Sequence, residues 1–226
     1  MEYINKENFL NNNKKIYYQK IFEKMNLSNH NLDNYKFYYC DLSNVFLENC
    51  SMQNIALENC LLDGTSLKNS NLKNANLKSA SLRRVNLENC NLEGAYLYSA
   101  ILENANLKNI KTNDKTKWFR LRCPEVGSFI GYKKCLDNRL VTLYIPEDAL
   151  RTSSTLNTCR CNKAKVLKIT NFEETISYDE AWSYVDENFS YKVGEWIFIK
   201  NFNQDRWFDS TIGIHFWMTK KEAMKY

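Results

Sequence analysis

A large apolar residue recurs at every fifth position from Leu27 to Leu107, through 17 consecutive units without a change of register. Neighbours on one helical face lie three and four residues apart, and a strand alternates with period two, so neither element explains this spacing. Two residues before each apolar centre the side chain is usually small, and two residues after it Asn is the commonest residue. Asn and Gly tolerate turn and left-handed backbone conformations. Each unit therefore provides a large and a small inward residue followed by a corner, and this pattern predicts a solenoid.

The units resemble pentapeptide repeats, as ANLKN at residues 105–109 and CNLEG at residues 90–94 illustrate. Members of that family have a small residue, then Asp or Asn, then Leu or Phe, then two polar positions. The resemblance implies a right-handed quadrilateral β-helix with four pentapeptides in each coil. Over residues 27–110 it implies a β-solenoid of about four coils, stacked at the β-sheet spacing of about 4.8 Å.

Charged residues that follow the apolar centres fit the same 20-residue coil. Along the sequence they form alternating acidic and basic blocks, and folding is expected to place four of them on one face: Glu48, Lys68, Glu88 and Lys108. We expect such columns to form ladders of ion pairs, each worth about 0.2–1 kcal/mol. A phosphate-binding patch from Lys68 to Arg83 is the alternative interpretation.

Segments outside the repeats complete the domain organisation. Residues 1–26 are predicted to form an N-terminal helical cap, because KKIYYQKIFEKM at residues 14–25 places its apolar residues on one helical face. The ends of a solenoid expose apolar surface and strand edges and therefore need covering. Residues 111–116 are a predicted linker. Residues 117–226, which contain all five tryptophans, are predicted to form a small α+β C-terminal domain.

Local patterns predict individual elements of the C-terminal domain. SFIGYKKC and RLVTLYI, joined by LDN, form a predicted hairpin, and KAKVLKIT, GEWIFI and GIHFW are predicted strands. YDEAWSYVD is a predicted short helix, and Thr219 with Glu222 forms a capping box for a final helix. The segments 123–135, 159–170 and 213–223 resemble an uncharacterised domain often found behind pentapeptide repeats in bacterial and viral proteins. That resemblance implies an architecture and no mechanism.

The net charge is +5, and charge is distributed unevenly in the C-terminal domain. Residues 111–168 contain 13 basic and five acidic residues, whereas residues 169–226 contain six basic and ten acidic residues. This asymmetry predicts a site for an anionic ligand or partner with the following binding residues: Lys133, Lys134, Arg151, Arg160, Lys163, Lys165 and His215. The alternative is a solvated basic face that pairs with the acidic half of the domain.

Cysteines suggest two further kinds of chemistry. Four of the eight fall on small inward positions and are expected to be buried thiols: Cys40, Cys50, Cys60 and Cys90. The other four could supply zinc thiolates, although their spacing departs from the paired cysteines of zinc sites: Cys123, Cys135, Cys159 and Cys161. Cys123 and His215 could act as nucleophile and base, a pairing that rests on residue types alone. The sequence has no phosphate-binding loop and no GxGxxG, HExxH or GxSxG motif, so we predict no metal, cofactor or catalytic residue.

These patterns favour a non-enzymatic binding or scaffold protein, in which a repeat cylinder presents the C-terminal domain to a protein partner of unknown identity. The charge is also compatible with an anionic ligand or nucleic acid bound through residues 117–168. The alternative is a C-terminal enzyme or binding domain for an anionic small molecule. Some pentapeptide repeat proteins resemble DNA in shape and charge and bind DNA gyrase. Eight acidic and seven basic residues between Leu27 and Ile110 make a near-neutral cylinder, which leaves that function a minor alternative.

Apolar runs in the sequence are all short of the length of a membrane span, and Met1 is not followed by a signal segment. We therefore expect a soluble, cytoplasmic protein with reduced thiols and no membrane contact.

Overall fold

The computed structural model describes residues 1–22, 24–186 and 188–226 of the 226-residue chain. The chain divides into two compact units, Met1–Arg120 and Leu121–Tyr226. We describe each unit by itself. Among the residues that the structure describes, no helix is both long and apolar enough to cross a membrane.

Parallel backbone pairing between residues 20 apart organises the first unit. Its regular elements are short: β1 (Glu2–Ile4), α1 (Lys6–Leu10), β2 (Ile16–Tyr18), β3 (Lys20–Phe22), β4 (Lys36–Tyr38) and β5 (Ala56–Glu58). Strand β2 pairs with β4, and β4 pairs with β5. Beyond these strands the coils meet through single parallel bridges, such as Asn31 with Ser51 and Asn71 with Asn91. The predicted solenoid with a 20-residue coil is confirmed.

The interior of the solenoid is filled by the apolar centres. From Leu27 to Leu102 each centre is at most 3% exposed, and only Leu107, in the last unit, is partly exposed. The small inward residues, two positions before each centre, include Ser, Thr and Cys. Their hydroxyl and thiol groups donate hydrogen bonds to backbone carbonyl groups of the preceding coil. The Ser70 hydroxyl, for example, lies 2.6 Å from the carbonyl oxygen of Leu47. Polar atoms inside the solenoid are therefore satisfied by its own backbone.

Each corner of the coil has a left-handed backbone. All 17 residues that lie two positions after a centre have positive φ, between 54° and 72°. Eleven of them are Asn and two are Gly, the residues that tolerate this conformation best. Asn side chains also stack from coil to coil, since Asn69 donates to Asn49 at 3.0 Å and Asn89 donates to Asn69 at 2.9 Å.

Ion pairs between coils account for most of the alternating charge blocks. Lys78 pairs with Glu58 at 2.8 Å, Arg83 with Glu103 at 2.9 Å, and Lys68 with Glu88 at 3.4 Å. The predicted Glu48–Lys68 pair is wrong, because the Glu48 carboxylate accepts a hydrogen bond from the hydroxyl of Ser66 at 2.5 Å instead. These contacts favour cohesion between coils over a phosphate-binding patch.

The helix predicted over residues 14–25 is wrong. The described part of this segment forms β2 and β3, because Tyr17 and Phe22 continue the five-residue spacing of the centres, and both are buried. A helix lies earlier, at α1, where the buried ring of Phe9 packs 5.5 Å from Tyr17 and 5.6 Å from Phe22. The paired coil therefore begins about ten residues before Leu27.

The second unit is mainly antiparallel sheet. Its elements are β6 (Phe129–Cys135), a 3₁₀ turn (Leu136–Asn138), β7 (Arg139–Ile145), β8 (Arg151–Ser153), β9 (Cys159–Cys161), β10 (Lys163–Thr170), β11 (Glu180–Trp182), β12 (Ser190–Lys192), β13 (Trp196–Phe198), β14 (Ile214–Phe216) and α2 (Lys220–Met224). They form a four-stranded sheet in the order β13-β10-β7-β6, a three-stranded sheet β14-β9-β8 and the pair β11-β12. A shared apolar core includes Val141, Leu143, Val166, Tyr191 and Phe216.

Several predicted elements of this unit are confirmed. The hairpin β6–β7 closes through the LDN turn, and the Thr219 hydroxyl caps α2 by accepting from the backbone of Glu222 at 3.2 Å. The helix predicted for YDEAWSYVD is wrong, because its centre forms β11, with Ala181 buried and Trp182 exposed. The alternation of buried and exposed residues there is that of a strand.

Corner conformation predicts the order of stability among substitutions at Asn69, whose φ is 60°. Asn69→Gly removes only the side-chain ladder and should cost least. Asn69→Ala should cost about 1 kcal/mol more, and Asn69→Val more again, because a Cβ substituent strains a left-handed backbone. Chemical unfolding measures the order; a Val variant as stable as the Gly variant would contradict the corner assignment.

Burial predicts that the repeat thiols are unreactive. Cys90 is fully buried, its thiol donates to the carbonyl oxygen of Leu67 at 2.8 Å, and burial raises its pKa to about 12. Near pH 8, iodoacetamide should therefore label Cys90 only after unfolding, because the thiolate is the reactive form. Mass spectrometry with and without denaturant tests this, and rapid labelling of the native protein would contradict it.

Candidate binding surface

The two faces of the four-stranded sheet have different environments. One face contributes Val141, Leu143, Ala164 and Val166 to the core. On the other face the strand register places Ile130 beside Tyr144, Tyr144 beside Lys165 and Lys165 beside Trp196. Lys163 and Phe198 are paired one step further along β10 and β13. We call these six side chains the basic-aromatic row: Ile130, Tyr144, Lys163, Lys165, Trp196 and Phe198.

Aromatic rings and ammonium groups interleave along this row. Trp196 is 42% exposed and Phe198 is 62% exposed, and their rings lie 6.1 Å apart at an interplanar angle of 26°. The Lys163 nitrogen lies 5.5 Å from the ring centre of Trp196, and the Lys165 nitrogen lies 5.9 Å from it. Such distances allow cation–π attraction, so each lysine is held beside a ring.

Strand alternation explains why these residues share a face. In KAKV the lysines occupy one face of β10 while Ala164 and Val166 enter the core. In WIF the Trp and Phe rings are exposed while Ile197 is partly buried. A period of two thus puts lysines and rings together across the neighbouring strands.

The opposite end of this sheet face is covered. Leu140 is buried in a small cluster with Trp217 and Ala223, and Trp217 exchanges two backbone hydrogen bonds of 2.8 Å with Tyr132. Leu140 is therefore covered at this end of the face, and the basic-aromatic row lies at the other end.

Arg160 lies inside the unit and holds a loop. It is 1% exposed, and its guanidinium donates to the carbonyl oxygens of four residues at 2.8 to 3.3 Å: Asn203, Asp205, Phe208 and Ile212. Burial lowers its pKa, and nearby Asp209 and Asp205 oppose that shift. His215, opposite Arg160 in the β9–β14 pair, places Nε2 2.9 Å from the carbonyl oxygen of Thr211 in the same loop. Both side chains therefore organise residues 203–212.

Arg151 holds a second set of carbonyl groups. Its guanidinium donates to Gly127 at 2.6 Å, to Pro146 and Glu147 at 2.7 Å each, and to Ala149 at 3.1 Å. The guanidinium carbon also lies 5.0 Å from the ring centre of Phe129. All three guanidinium nitrogens thus already have protein acceptors.

Lys133 and Lys134 point to opposite faces of β6. Lys133 is 3% exposed, its nitrogen lies 6.0 Å from the Tyr191 ring, and burial lowers its pKa. Lys134 is partly exposed, 5.3 Å from the ring of Tyr184. The prediction of one shared surface is wrong for Lys133, Arg151, Arg160 and His215, which are buried or occupied by backbone acceptors. Lys163 and Lys165 are the predicted residues that the structure brings together.

The cysteines of the second unit are buried free thiols. A hydrogen bond from the Cys159 thiol lowers the pKa of Cys123, and the same contact raises the pKa of Cys159. Burial raises the pKa of Cys135 and of Cys161 to about 12. Within the described ranges 1–22, 24–186 and 188–226, no group of three or more His, Cys, Asp or Glu side chains is arranged to hold a metal ion.

Sequence reasoning missed the aromatic half of the row. It counted basic residues along the chain and did not include Tyr144, Trp196 or Phe198. The signal was present in the alternation of KAKV and of WIF, which assigns lysines and rings to one face once the strands are paired.

Family comparisons agree with the architecture. Residues 22–54 match the family described as pentapeptide repeats (8 copies), and residues 47–116 match the family described as pentapeptide repeat region. Residues 119–223 match a family of unknown function, DUF5758. Residues 22–116 are thus pentapeptide repeats, and residues 119–223 form a domain of the DUF5758 family.

Solved structures similar to this chain include two that are described as pentapeptide repeat proteins. One from the cyanobacterium Cyanothece 51142 is 40% identical over 40% of this chain and 61% of its own, with a TM-score of 0.40. One from the Arabidopsis thaliana thylakoid lumen is 20% identical over 38% of this chain and 60% of its own, with a TM-score of 0.25. QnrB1, a plasmid-mediated fluoroquinolone resistance protein, is 13% identical over 48% of this chain and 67% of its own, with a TM-score of 0.23. The chain thus spans about three fifths of the first two. A search of the curated proteins gave no match.

The buried position of Arg160 predicts that its replacement destabilises the unit. Arg160→Met leaves four carbonyl groups without their donor and should lower the free energy of unfolding by about 3 kcal/mol or more. Proteolysis within residues 203–212 should become faster. The control is Lys168→Met, at a half-exposed side chain of the same unit, which should change stability by no more than about 0.5 kcal/mol. Equal stability of the two variants would refute the role assigned to Arg160.

Proposed function

We propose that this chain is a non-enzymatic binding protein that contacts a macromolecular partner through the basic-aromatic row of its C-terminal unit. The repeat unit acts as the scaffold. In this proposal the scaffold is a right-handed quadrilateral β-helix, with about four coils between residues 27 and 110 and with α1 as its N-terminal cap. Proteins built from pentapeptide repeats are generally scaffolds or binders rather than enzymes, which supports this assignment.

Exposure of the basic-aromatic row is the observation that carries the proposal. Scattered exposed apolar residues are normal on a protein surface, but two neighbouring large rings that alternate with lysines form a patch. Tyr144 extends the patch, because its ring lies 6.3 Å from that of Trp196 at an angle of 73°. Rings and cations side by side suit a partner that offers both flat apolar groups and negative charge.

The charge of the repeat unit weighs against mimicry of DNA. Its lysines and arginines pair with carboxylates of adjacent coils, as Lys78 does with Glu58 and Arg83 does with Glu103. A DNA mimic requires unbalanced negative charge along the cylinder, whereas eight acidic and seven basic residues lie between Leu27 and Ile110. Binding to a DNA-processing enzyme in the manner of a duplex is therefore disfavoured.

An anionic small molecule is also disfavoured as the ligand. The prediction of such a site depended on convergence of several cations. Lys133 is buried, and the guanidinium groups of Arg151 and Arg160 donate to backbone carbonyl oxygens. The two lysines of the row lie on an open sheet face beside exposed rings, an arrangement that suits a larger partner.

Site-specific photo-crosslinking in the native host tests the proposal. A photoreactive phenylalanine analogue at position 198 should form adducts with a macromolecule. The matched control is the same analogue at Trp182, which is 43% exposed on a different sheet and should give none of these adducts. Lys163→Gln with Lys165→Gln should remove most of the product at position 198. A folded protein that gives no adduct at position 198 above the control would overturn the proposal.

A further inference from the structure

We propose that the basic-aromatic row binds single-stranded nucleic acid, with bases stacked on Trp196 and Phe198 and phosphates contacted by Lys163 and Lys165. This inference rests on the proposed function, because it names the class of partner for the same surface. It follows from the geometry of the rings, the placement of the lysines and the charge of the row.

The rings are arranged as a platform for unpaired bases. Trp196 and Phe198 lie two residues apart on one face of β13, so their rings are held by a strand rather than by a loop. The 26° angle between them makes the two rings nearly parallel, and both are exposed. Stacking on aromatic side chains is the usual way in which proteins hold unpaired bases, and it tolerates any base sequence because every base has a flat face.

The lysines lie where the phosphates of a stacked strand would need them. Lys163 and Lys165 occupy the neighbouring strand β10, directly opposite Phe198 and Trp196 in the register. Lys163 pairs with Asp148 at 2.5 Å, and the Lys163 side chain is 23% exposed whereas that of Asp148 is 70% exposed. A phosphate that contacts Lys163 therefore has to displace the exposed Asp148 carboxylate, which costs little in water. Among the described residues, Lys165 has no carboxylate within ion-pair distance of 4.0 Å. Lys165 is thus available to an anion directly, and Lys163 becomes available when Asp148 is displaced.

The row carries two lysines and no carboxylate of its own, and Asp148 offsets only one of the two charges, so the surface is net positive and favours a polyanion. A protein partner is less suitable, because lysine is depleted at the centres of protein interfaces, where arginine and aromatic residues are enriched. Here lysine lies at the centre of the row and arginine is absent from it. Duplex nucleic acid is also less suitable, because its bases are already stacked on one another and present no free face to a ring.

Binding of defined oligonucleotides to the full chain tests the inference. The probes are labelled oligouridylate and oligothymidylate of about 12 nucleotides, within the usual site sizes, with a duplex of equal length and inorganic polyphosphate as comparisons. We expect both single strands to bind more tightly than the duplex, and polyphosphate of equal charge to compete poorly because it has no bases. RNA bound in preference to DNA, or the reverse, would identify the source of the strand.

Surface variants separate stacking from charge. Trp196→Leu and Phe198→Leu should each weaken binding by at least about fivefold, the loss expected for one stacked base. Lys163→Gln with Lys165→Gln should reduce the steepness of the salt dependence by about 1.4 in log–log slope, since each phosphate contact on a single strand contributes about 0.7. The matched controls, Trp182→Leu and Lys192→Gln, alter an equally exposed ring and an exposed lysine on the β11–β12 pair and should bind as the wild type. Melting temperatures check that every variant is folded.

Three results would overturn the inference: equal binding by row and control variants, equal competition by polyphosphate, or tighter binding of the duplex. Treating the adduct at position 198 with nuclease distinguishes this failure from failure of the proposed function. An adduct trimmed by nuclease to the mass of the chain plus a short nucleotide remnant supports nucleic acid. An adduct that resists nuclease and contains a second polypeptide rejects nucleic acid but keeps the proposed function. No adduct rejects both.

Discussion

A left-handed backbone at every fifth residue is the constraint on which the repeat unit depends. The corner turns the chain after each unit, and because the turns are equally spaced, residues 20 apart meet through parallel bridges. Once those bridges form, the leucine centres stack on one another inside. The small inward residues then fill the remaining space, and some of them donate hydrogen bonds to the preceding coil. The Thr65 hydroxyl, for example, donates to the carbonyl oxygen of Leu42 at 2.8 Å. Core, corners and outward charges are thus consequences of one backbone geometry.

Lysine and arginine side chains have different structural roles in the two units. In the repeat unit, cations such as Lys78 and Arg83 face carboxylates of an adjacent coil and contribute to cohesion. In the second unit, Arg160 and Arg151 hold loops by donating to backbone carbonyl oxygens, a task suited to the planar guanidinium with its several donors. Lys163 and Lys165 remain at an exposed sheet face. The groups that each cation contacts, rather than its type, therefore separate the structural cations from the two lysines of the row.

The solenoid could be predicted because every unit repeats the same local information. Its N-terminal extension could not, since Gln19 replaces the Asn that marks other corners although its φ is 50°, and Tyr17 and Ile21 also fit a helical spacing. The site was predicted only in part. Whether Arg160 faces solvent or a loop depends on residues 43 to 52 positions away in the chain, and a count of charge along the sequence contains no such information.

Strand alternation makes the basic-aromatic row independent of the core beneath it. Along β10 the lysines face outward while Ala164 and Val166, one position away, are fully buried. A substitution at Lys165 therefore alters the chemistry of the surface without opening a cavity, whereas one at Val166 does the reverse. Arg160 differs, because the same buried guanidinium both carries the charge and holds residues 203–212 in place. A surface built on alternating strand positions can thus acquire or lose a partner while the domain keeps its fold, and a buried guanidinium cannot be changed in that way.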